Sequence, residues 1–175
     1  PMENENSTDT DMNESLVSEE SGQAVSTDSK DSAAADKNEA AVLEAPIQSV
    51  SLGTFHSSVI DKDGSLWTWG YNSVGLLGDG SKEDRYEPVK IMNNVQSVSV
   101  SSHCAAIKTD GSLWMWGCNE FGQVGDGSTE DCYEPVKIMN NVQSVSVNSK
   151  HSAVLKTDGS LWSWGWNTSG QLGDG

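Results

Sequence analysis

A repeat of 47 to 48 residues occupies most of this chain. The pentapeptide DGSLW occurs at residues 63–67, 110–114 and 158–162, and a histidine stands seven residues before each of its aspartates. The stretch YEPVKIMNNVQSVSV is identical at residues 86–100 and 133–147. Self-similarity at such a period is typical of propellers and other arrays, in which each unit buries its apolar faces against its neighbours.

Each unit has the pattern of antiparallel β-strands. Asp-Gly between two alternating runs is a strong hairpin signal, and at Asp63-Gly64 we expect a type I′ turn with positive φ at both central residues. A strand of alternating Val and Ser, such as residues 96–100, precedes each hairpin. A fourth strand is expected at residues 88–92 and 135–139, with proline tolerated at its first position.

The strand that contains DGSLW is apolar on both faces, because Leu66 points to one side and Trp67 and Trp69 point to the other. A sheet of this kind needs a neighbour on each side, which a β-propeller provides. We therefore predict an all-β fold of about 2.7 propeller blades. The expected repeat region is residues 46–175, divided at about residues 46–92, 93–139 and 140–175.

Residues 1–45 differ in composition from the repeats. They carry twelve Asp and Glu against two Lys, and all seven tryptophans of the chain follow them. A segment with so little apolar surface cannot offset the entropy of ordering its backbone, so we predict a disordered acidic leader or linker. The sequence contains no run of about 20 apolar residues, so membrane insertion is not expected. The repeats lack the clustered Lys and Arg that direct nucleic-acid binding needs.

The motifs G-x-x-H-S, DGSLW-x-WG, WG-x-N-x-x-G-Q-L-G and E-P-V closely resemble the repeats of the regulator of chromosome condensation (RCC1) family. The resemblance covers roughly residues 46–175 and implies seven-bladed propellers, of which fewer than three repeats make an open fragment. The chain departs from the pattern in three respects, the first being that the glycine before the histidine is present only as Gly53. Leu76 stands where the other copies have Gln123 and Gln171, and Cys104 stands where they have Ser57 and Ser152.

None of the candidate chemical motifs predicts a catalytic, cofactor or metal site. A histidine in every unit is expected to bond its own blade's backbone rather than to bind a metal, since equivalent histidines stand around a ring. The three cysteines do not recur between copies and are expected to be free thiols. Residues 61–65 superficially resemble a calcium loop, but the bidentate glutamate that would complete the site is missing at the proper offset. Residues 125–127 place a carboxylate where a phosphate would sit. The three repeated histidines are His56, His103 and His151, and the three cysteines are Cys104, Cys118 and Cys132.

The loops of the blades are the expected binding region, because the copies differ in sequence there although the motifs on either side are the same. The candidate partner-binding residues are Arg85 and Tyr86 in the first copy and Glu130 and Tyr133 in the second. The alternative is that the two tyrosines pack under the loop beside Pro88 and Pro135.

The sequence is consistent with three functions. The first is a non-enzymatic module that binds an unidentified protein or other macromolecule, at an extracellular or cell-surface location, with a cytoplasmic location as the alternative. The second, implied by the resemblance, is guanine-nucleotide exchange on a small GTPase, and the third is inhibition of a secreted hydrolase of the β-lactamase type. Exposed blade faces and strand edges also predict self-association of the chain.

Overall fold

The computed structural model describes residues 43–175, so residues 1–42 of the predicted disordered leader lie outside the described part. Residues 43–175 contain eleven β-strands and no helix. Within this range there is accordingly no helix that could cross a membrane. The all-β prediction is confirmed.

The strands form three antiparallel sheets, one for each copy of the repeat, and the strands follow chain order within each sheet. The first sheet has β1 (Ile47–Leu52), β2 (His56–Asp61), β3 (Leu66–Gly70) and β4 (Arg85–Met92). The second sheet has β5 (Val95–Val100), β6 (His103–Lys108), β7 (Leu113–Gly117) and β8 (Cys132–Met139). The third sheet has β9 (Val142–Val147), β10 (His151–Lys156) and β11 (Leu161–Gly165).

The Asp-Gly hairpins exist, but the prediction of a type I′ turn was wrong. Gly64 N donates to the Asp61 carbonyl oxygen at 3.0 Å, and Asp61 N donates to the Ser65 carbonyl oxygen at 3.0 Å. Gly64 has φ +76°, whereas Asp63 does not have positive φ. This is the longer hairpin loop, in which an ordinary turn is followed by one left-handed residue, so only the glycine needs the left-handed region.

The fourth strand is longer than expected. Proline was predicted at its first position, but β4 begins at Arg85 and β8 begins at Cys132, so Pro88 and Pro135 lie inside their strands. Both strands pair on one side only, β4 with β3 and β8 with β7. A proline without an N–H is tolerated at such an edge, because the outer side of the strand makes no ladder bonds.

The sheets pack against one another through their apolar faces. Between the first and second sheets, Ile60 and Leu66 meet Val95, Val100 and Trp116 in one buried cluster. Leu113 and Met115 lie on the opposite face of the second sheet, where they pack with residues of the third sheet. The prediction that leucine and tryptophan of one strand serve opposite junctions is thus confirmed. The third-sheet members of this second cluster include Val142, Val154 and Trp164.

Candidate functional site

One end of each complete sheet carries its long loop, between the third and fourth strands, together with the short connection between the first and second strands, and we call it the loop end. In the first sheet, residues 53–55 join β1 to β2 there, and residues 71–84 join β3 to β4. Residues 101–102 and 118–131 occupy the same places in the second sheet. The opposite end carries the Asp-Gly turns and the two-residue connections between sheets. The loop end is therefore the part of each blade with most freedom to vary.

A buried asparagine holds each long loop in one conformation. Leu77 N donates to Asn72 Oδ1 at 2.9 Å, and Asn72 Nδ2 donates to Asp79 Oδ1 at 3.0 Å and to the Ser81 carbonyl oxygen at 3.1 Å. Asn119 makes the equivalent three contacts in the second unit. Because the side-chain amide satisfies loop groups on both sides, the loop surface is organised before any partner arrives.

The aspartate of the Gly-Asp-Gly stretch has a structural role. Asp79 Oδ1 accepts the Ser81 N–H at 3.0 Å, and Asp79 Oδ2 accepts from Arg85 Nε at 2.7 Å. Burial alone would raise the pKa of Asp79, but the bonds from Arg85 and Ser81 hold it below its usual range. A carboxylate that stays charged and occupied here repels a phosphate rather than receiving one.

The four candidate partner-binding residues lie at the loop end of the first and second sheets, where Tyr86 and Tyr133 occupy the same repeat position. Arg85 begins β4 and forms an ion pair with Asp79, and Tyr86 follows it with 84% of its surface exposed. Glu130 is exposed, and its carbonyl oxygen accepts from Asn119 Nδ2 at 3.0 Å. The structure thus places one pair of these residues at the loop end of each of the first two sheets.

Tyr133 has a different environment from Tyr86 although the two occupy the same repeat position. Gly80 N, from the first unit's long loop, donates to the Tyr133 carbonyl oxygen at 2.9 Å. The ammonium of Lys82 in that loop lies 4.7 Å from the centroid of the tyrosine ring. Tyr133 therefore joins two neighbouring sheets, whereas Tyr86 lies on the outward face of the first sheet.

The repeated histidine bonds across the junction between sheets, which corrects the expectation that it bonds its own blade's backbone. His103 Nε2 lies 2.7 Å from Ser152 Oγ in the third sheet. The serine hydroxyl donates to the Gln123 carbonyl oxygen at 2.8 Å, so the imidazole must donate to the serine. Trp164 Nε1 donates to the same carbonyl oxygen at 2.9 Å.

The first junction repeats this network with a thiol in place of the hydroxyl. His56 Nε2 lies 3.2 Å from Cys104 Sγ, and the thiol donates to the Leu76 carbonyl oxygen at 3.2 Å. Trp116 Nε1 donates to that oxygen at 3.0 Å. Cysteine and serine are nearly isosteric here, which explains why Cys104 can replace the serine of the other units.

These buried groups are poor candidates for catalysis. Burial lowers the pKa of His56 and of His103 to about 4, with the nearby His151 contributing to the shift of His103. Burial raises the pKa of the Cys104 thiol well above its usual range, so it stays protonated. No set of three metal-binding side chains occurs among residues 43–175.

Exposed and half-buried aromatic residues at the loop end were not recognised from the sequence as a site. The ring centroids of Phe55 and Tyr71 are 6.1 Å apart in an edge-to-face arrangement. In the next junction, Phe121 and Trp166 are 6.0 Å apart, and the Lys150 ammonium lies 4.4 Å from the centroid of Trp166. The signal was present in the variable position of WG-x-N, which is Tyr71 in one unit and Trp166 in another.

Models of the regulator of chromosome condensation (RCC1) repeat match four stretches of the chain. One model matches residues 63–107 and 110–155, and a second model of the same repeat matches residues 47–76 and 142–171. No curated protein gave a significant sequence match.

Solved structures of similar fold include human WBSCR16, with a TM-score of 0.66 and 23% identity over 71% of this chain and 34% of that one. Prp20p from Saccharomyces cerevisiae, described with its binding properties to Gsp1p and histones, has a TM-score of 0.65 and 22% identity over 73% of this chain and 35% of that one. Yeast RCC1 (Prp20) with Kap60 bound has a TM-score of 0.59 and 27% identity over 70% of this chain and 30% of that one.

This chain spans about a third of the length of these structures. The repeat models match the motifs that form the strands, the Asp-Gly turns and the junction tryptophans. The chain belongs to the regulator of chromosome condensation (RCC1) repeat family.

Proposed function

We propose that this chain is a non-enzymatic propeller module that binds a protein through its loop end. The observation that carries the proposal is the contrast between an invariant frame and divergent exposed side chains. The strands, turns and loop asparagines recur from unit to unit, while the residue before the histidine is Phe55, Ser102 or Lys150. A surface that varies on a constant scaffold is where a repeat protein places its specificity.

The chemistry of the loop end favours a protein partner. Phe55 is 72% exposed beside Tyr71, and aromatic residues of this kind are enriched in the energetic centres of protein interfaces. The repeat region carries fourteen acidic against eight basic residues, a balance that disfavours a phosphate backbone. Prp20p, which shares the fold, has been described binding Gsp1p and histones, and both are proteins.

A non-enzymatic role is supported by the state of the buried polar groups. The imidazoles of His56 and His103 are neutral at pH 7 and donate their Nε2 hydrogens into the junction networks. The Cys104 thiol is protonated and hydrogen-bonded. Each group stabilises a junction, so we assign no reacting atom to them.

Site-specific photo-crosslinking on the full chain tests the proposal. A benzoylphenylalanine is placed at position 55 or 166 at the loop end, and at position 62 or 157 in the turns of the opposite end, all of which are at least partly exposed. After irradiation in an extract of the source cells, we expect covalent protein adducts from Phe55 and Trp166 and none above background from Lys62 and Thr157.

Equal adduct formation at both ends would contradict the proposal, since it would mean that the loop end is not the binding surface. A small GTPase recovered from the loop-end positions would favour the exchange-factor alternative, and a fluorescent-nucleotide release assay would then measure that activity directly. Circular dichroism of each variant provides the folding control.

A further inference from the structure

An apolar pocket lies at the loop end between the first and second sheets. Its volume is about 230 Å³. The first sheet contributes Val74 and Leu76, and the second contributes Ser102 and Cys118. The exposed ring of Phe55 lies at the same pocket. Its floor is rigid, because the Leu76 backbone is anchored by hydrogen bonds from the second sheet.

The next junction shows how this chain fills the same place with its own side chains. By the repeat, Val74 corresponds to Phe121, Ser102 to Lys150 and Cys118 to Trp166, so the first junction has the smaller residue at all three positions. In the second junction the Phe121 ring lies 6.0 Å from Trp166, and the Lys150 ammonium is 4.9 Å from the phenylalanine centroid. A phenyl ring with a cation beside it is therefore the arrangement that suits this position.

Leu76 makes the first pocket more apolar than its counterpart. In the second unit Gln123 Oε1 accepts from Phe121 N at 2.8 Å, and in the third unit Gln171 Oε1 accepts from Ser169 N at 2.9 Å. Leucine at this position cannot make that bond and instead presents a hydrocarbon wall. The departure from the repeat pattern thus coincides with the pocket.

The size of the pocket limits what can enter it. Sites for drug-sized ligands have volumes of roughly 300–1,000 Å³. The pocket is smaller, at about 230 Å³, and therefore suits a single large apolar side chain of a partner rather than a separate small molecule.

The charges beside the pocket indicate what should flank that side chain. Asp131 Oδ1 accepts the backbone N–H of Asn119 at 2.8 Å, which places this carboxylate next to Cys118. Glu120 is exposed two residues after Cys118. After burial, which is the main cause, both carboxylates help to raise the pKa of the Cys118 thiol. A partner with Lys or Arg near its apolar residue would complement the negative charge of these two carboxylates.

We propose that the pocket of Val74, Leu76, Ser102 and Cys118 receives a phenylalanine-sized side chain of a partner protein, flanked in that partner by Lys or Arg. The inference rests on the proposed function and adds to it the chemistry of the partner. The partner's ring occupies the place that Phe121 occupies in the second junction, and its cation faces Glu120 and Asp131.

NMR titration of the ¹⁵N-labelled full chain tests this with three blocked tripeptides, Lys-Phe-Lys, Lys-Ala-Lys and Glu-Phe-Glu. Burial of one phenyl side chain is the main source of affinity, so Lys-Phe-Lys is expected to bind with a dissociation constant of roughly 5–100 mM. We expect amide shifts centred on Val74, Ser102 and Cys118. Lys-Ala-Lys should bind about tenfold more weakly or worse, and Glu-Phe-Glu several-fold more weakly.

The chain supplies its own matched variants. Val74→Phe with Cys118→Trp places the second junction's residues in the first, and should abolish the shifts while the spectrum stays dispersed. Phe121→Val changes the second junction and should leave the first-junction response intact. If the filled variant does not fold, Val74→Leu partly fills the pocket and should weaken binding measurably.

The proposal is overturned if Lys-Ala-Lys and Lys-Phe-Lys shift the same amides equally, or if filling the pocket leaves binding unchanged. Tighter binding of Glu-Phe-Glu than of Lys-Phe-Lys would overturn the basic flank. Loop-end photo-crosslinks that persist in the filled variant, together with a negative titration, would refute the pocket alone and leave the proposed function standing.

Discussion

Trp116 combines an apolar and a polar role at one junction. Its side chain is fully buried between the first and second sheets. Its Nε1 donates to the Leu76 carbonyl oxygen, which also accepts from Cys104. A single indole thus fills the junction and satisfies a buried carbonyl group, and Trp164 does the same for Gln123 at the next junction.

Replacing Trp116 with alanine should therefore destabilise the fold strongly. We expect the free energy of unfolding to fall by about 3–5 kcal/mol, the range for emptying a buried aromatic site. Glu130→Ala is the control. Glu130 is exposed, and the hydrogen bond from Asn119 to its backbone carbonyl oxygen does not involve the side chain that is removed. Urea denaturation followed by the remaining tryptophan fluorescence measures both, and equal midpoints would mean that Trp116 does not support the core.

The buried histidines predict a specific dependence of stability on pH. Their pKa values are about 4 in the folded chain against 6.5 for the ordinary group, so protonation favours the unfolded state. Stability should be constant above about pH 6.5 and decline towards pH 4, by about 1.4 kcal/mol per pH unit for each histidine. The carboxyl groups of Asp79 and Asp110 are hydrogen-bonded and have lowered pKa values, so the stability that they contribute is lost only at lower pH.

Urea unfolding at pH 7, 6, 5 and 4 checks this dependence. His103→Gln keeps a donor at the junction but cannot be protonated in this range, so it should lower the slope by about half. An unchanged slope in this variant would show that other groups cause the decline.

At the scale of the elements, local chemistry explains the strands but not their full extent. The Asp-Gly hairpins were predicted at the right places, because the turn signal and the alternation are properties of neighbouring residues. The turn type was wrong, since the register with one left-handed glycine is selected by strand pairing rather than by the dipeptide. The early start of β4 and β8 depends on pairing with β3 and β7, which proline at an edge does not prevent.

Gly75 and Gly122 form a natural pair for testing the contact between a long loop and the next sheet. Both have positive φ, +77° and +71°, but a Cβ on Gly75 would lie 2.8 Å from the Cys132 carbonyl oxygen and from the Tyr133 Cα. The nearest heavy atom to a Cβ on Gly122 is the Ser128 carbonyl oxygen at 3.7 Å. Only the first position therefore combines left-handed strain with a backbone clash.

We expect Gly122→Ala to cost about 1–2 kcal/mol from the left-handed conformation alone, and Gly75→Ala to cost clearly more. Thermal unfolding of the two variants under identical conditions gives the comparison. Equal losses would show that the first long loop does not press against β8 as described.

At the scale of the molecule, the same junction design recurs between successive sheets and leaves matching faces at its two ends. Leu161 in β11 is 74% exposed, whereas Leu113, its equivalent in β7, is fully buried against the third sheet. On the opposite side, Leu52 is 70% exposed, whereas its equivalent Val100 is buried in the first junction. These faces are the two halves of an interface that the chain already forms twice.

The isolated chain should consequently associate head to tail with other copies of itself. Sedimentation velocity is expected to show a weight-average coefficient that rises with concentration. Leu161→Lys should reduce this dependence, because it charges one of the two faces, whereas Thr157→Lys in an exposed turn should not. A compact monomer at all concentrations would contradict the prediction.

The sequence by itself determined the repeat, its strands, the family and the two-sided apolar character of each sheet. These depend on alternation, turn residues and period, which are local properties repeated along the chain. The tertiary structure alone decided which groups meet across a junction. His56 bonds Cys104, which is 48 residues away, and Val74 faces Cys118 across a pocket, because stacking brings different units together. The different environments of Tyr86 and Tyr133 arise for the same reason, since identical local sequence does not reveal which neighbour covers each copy.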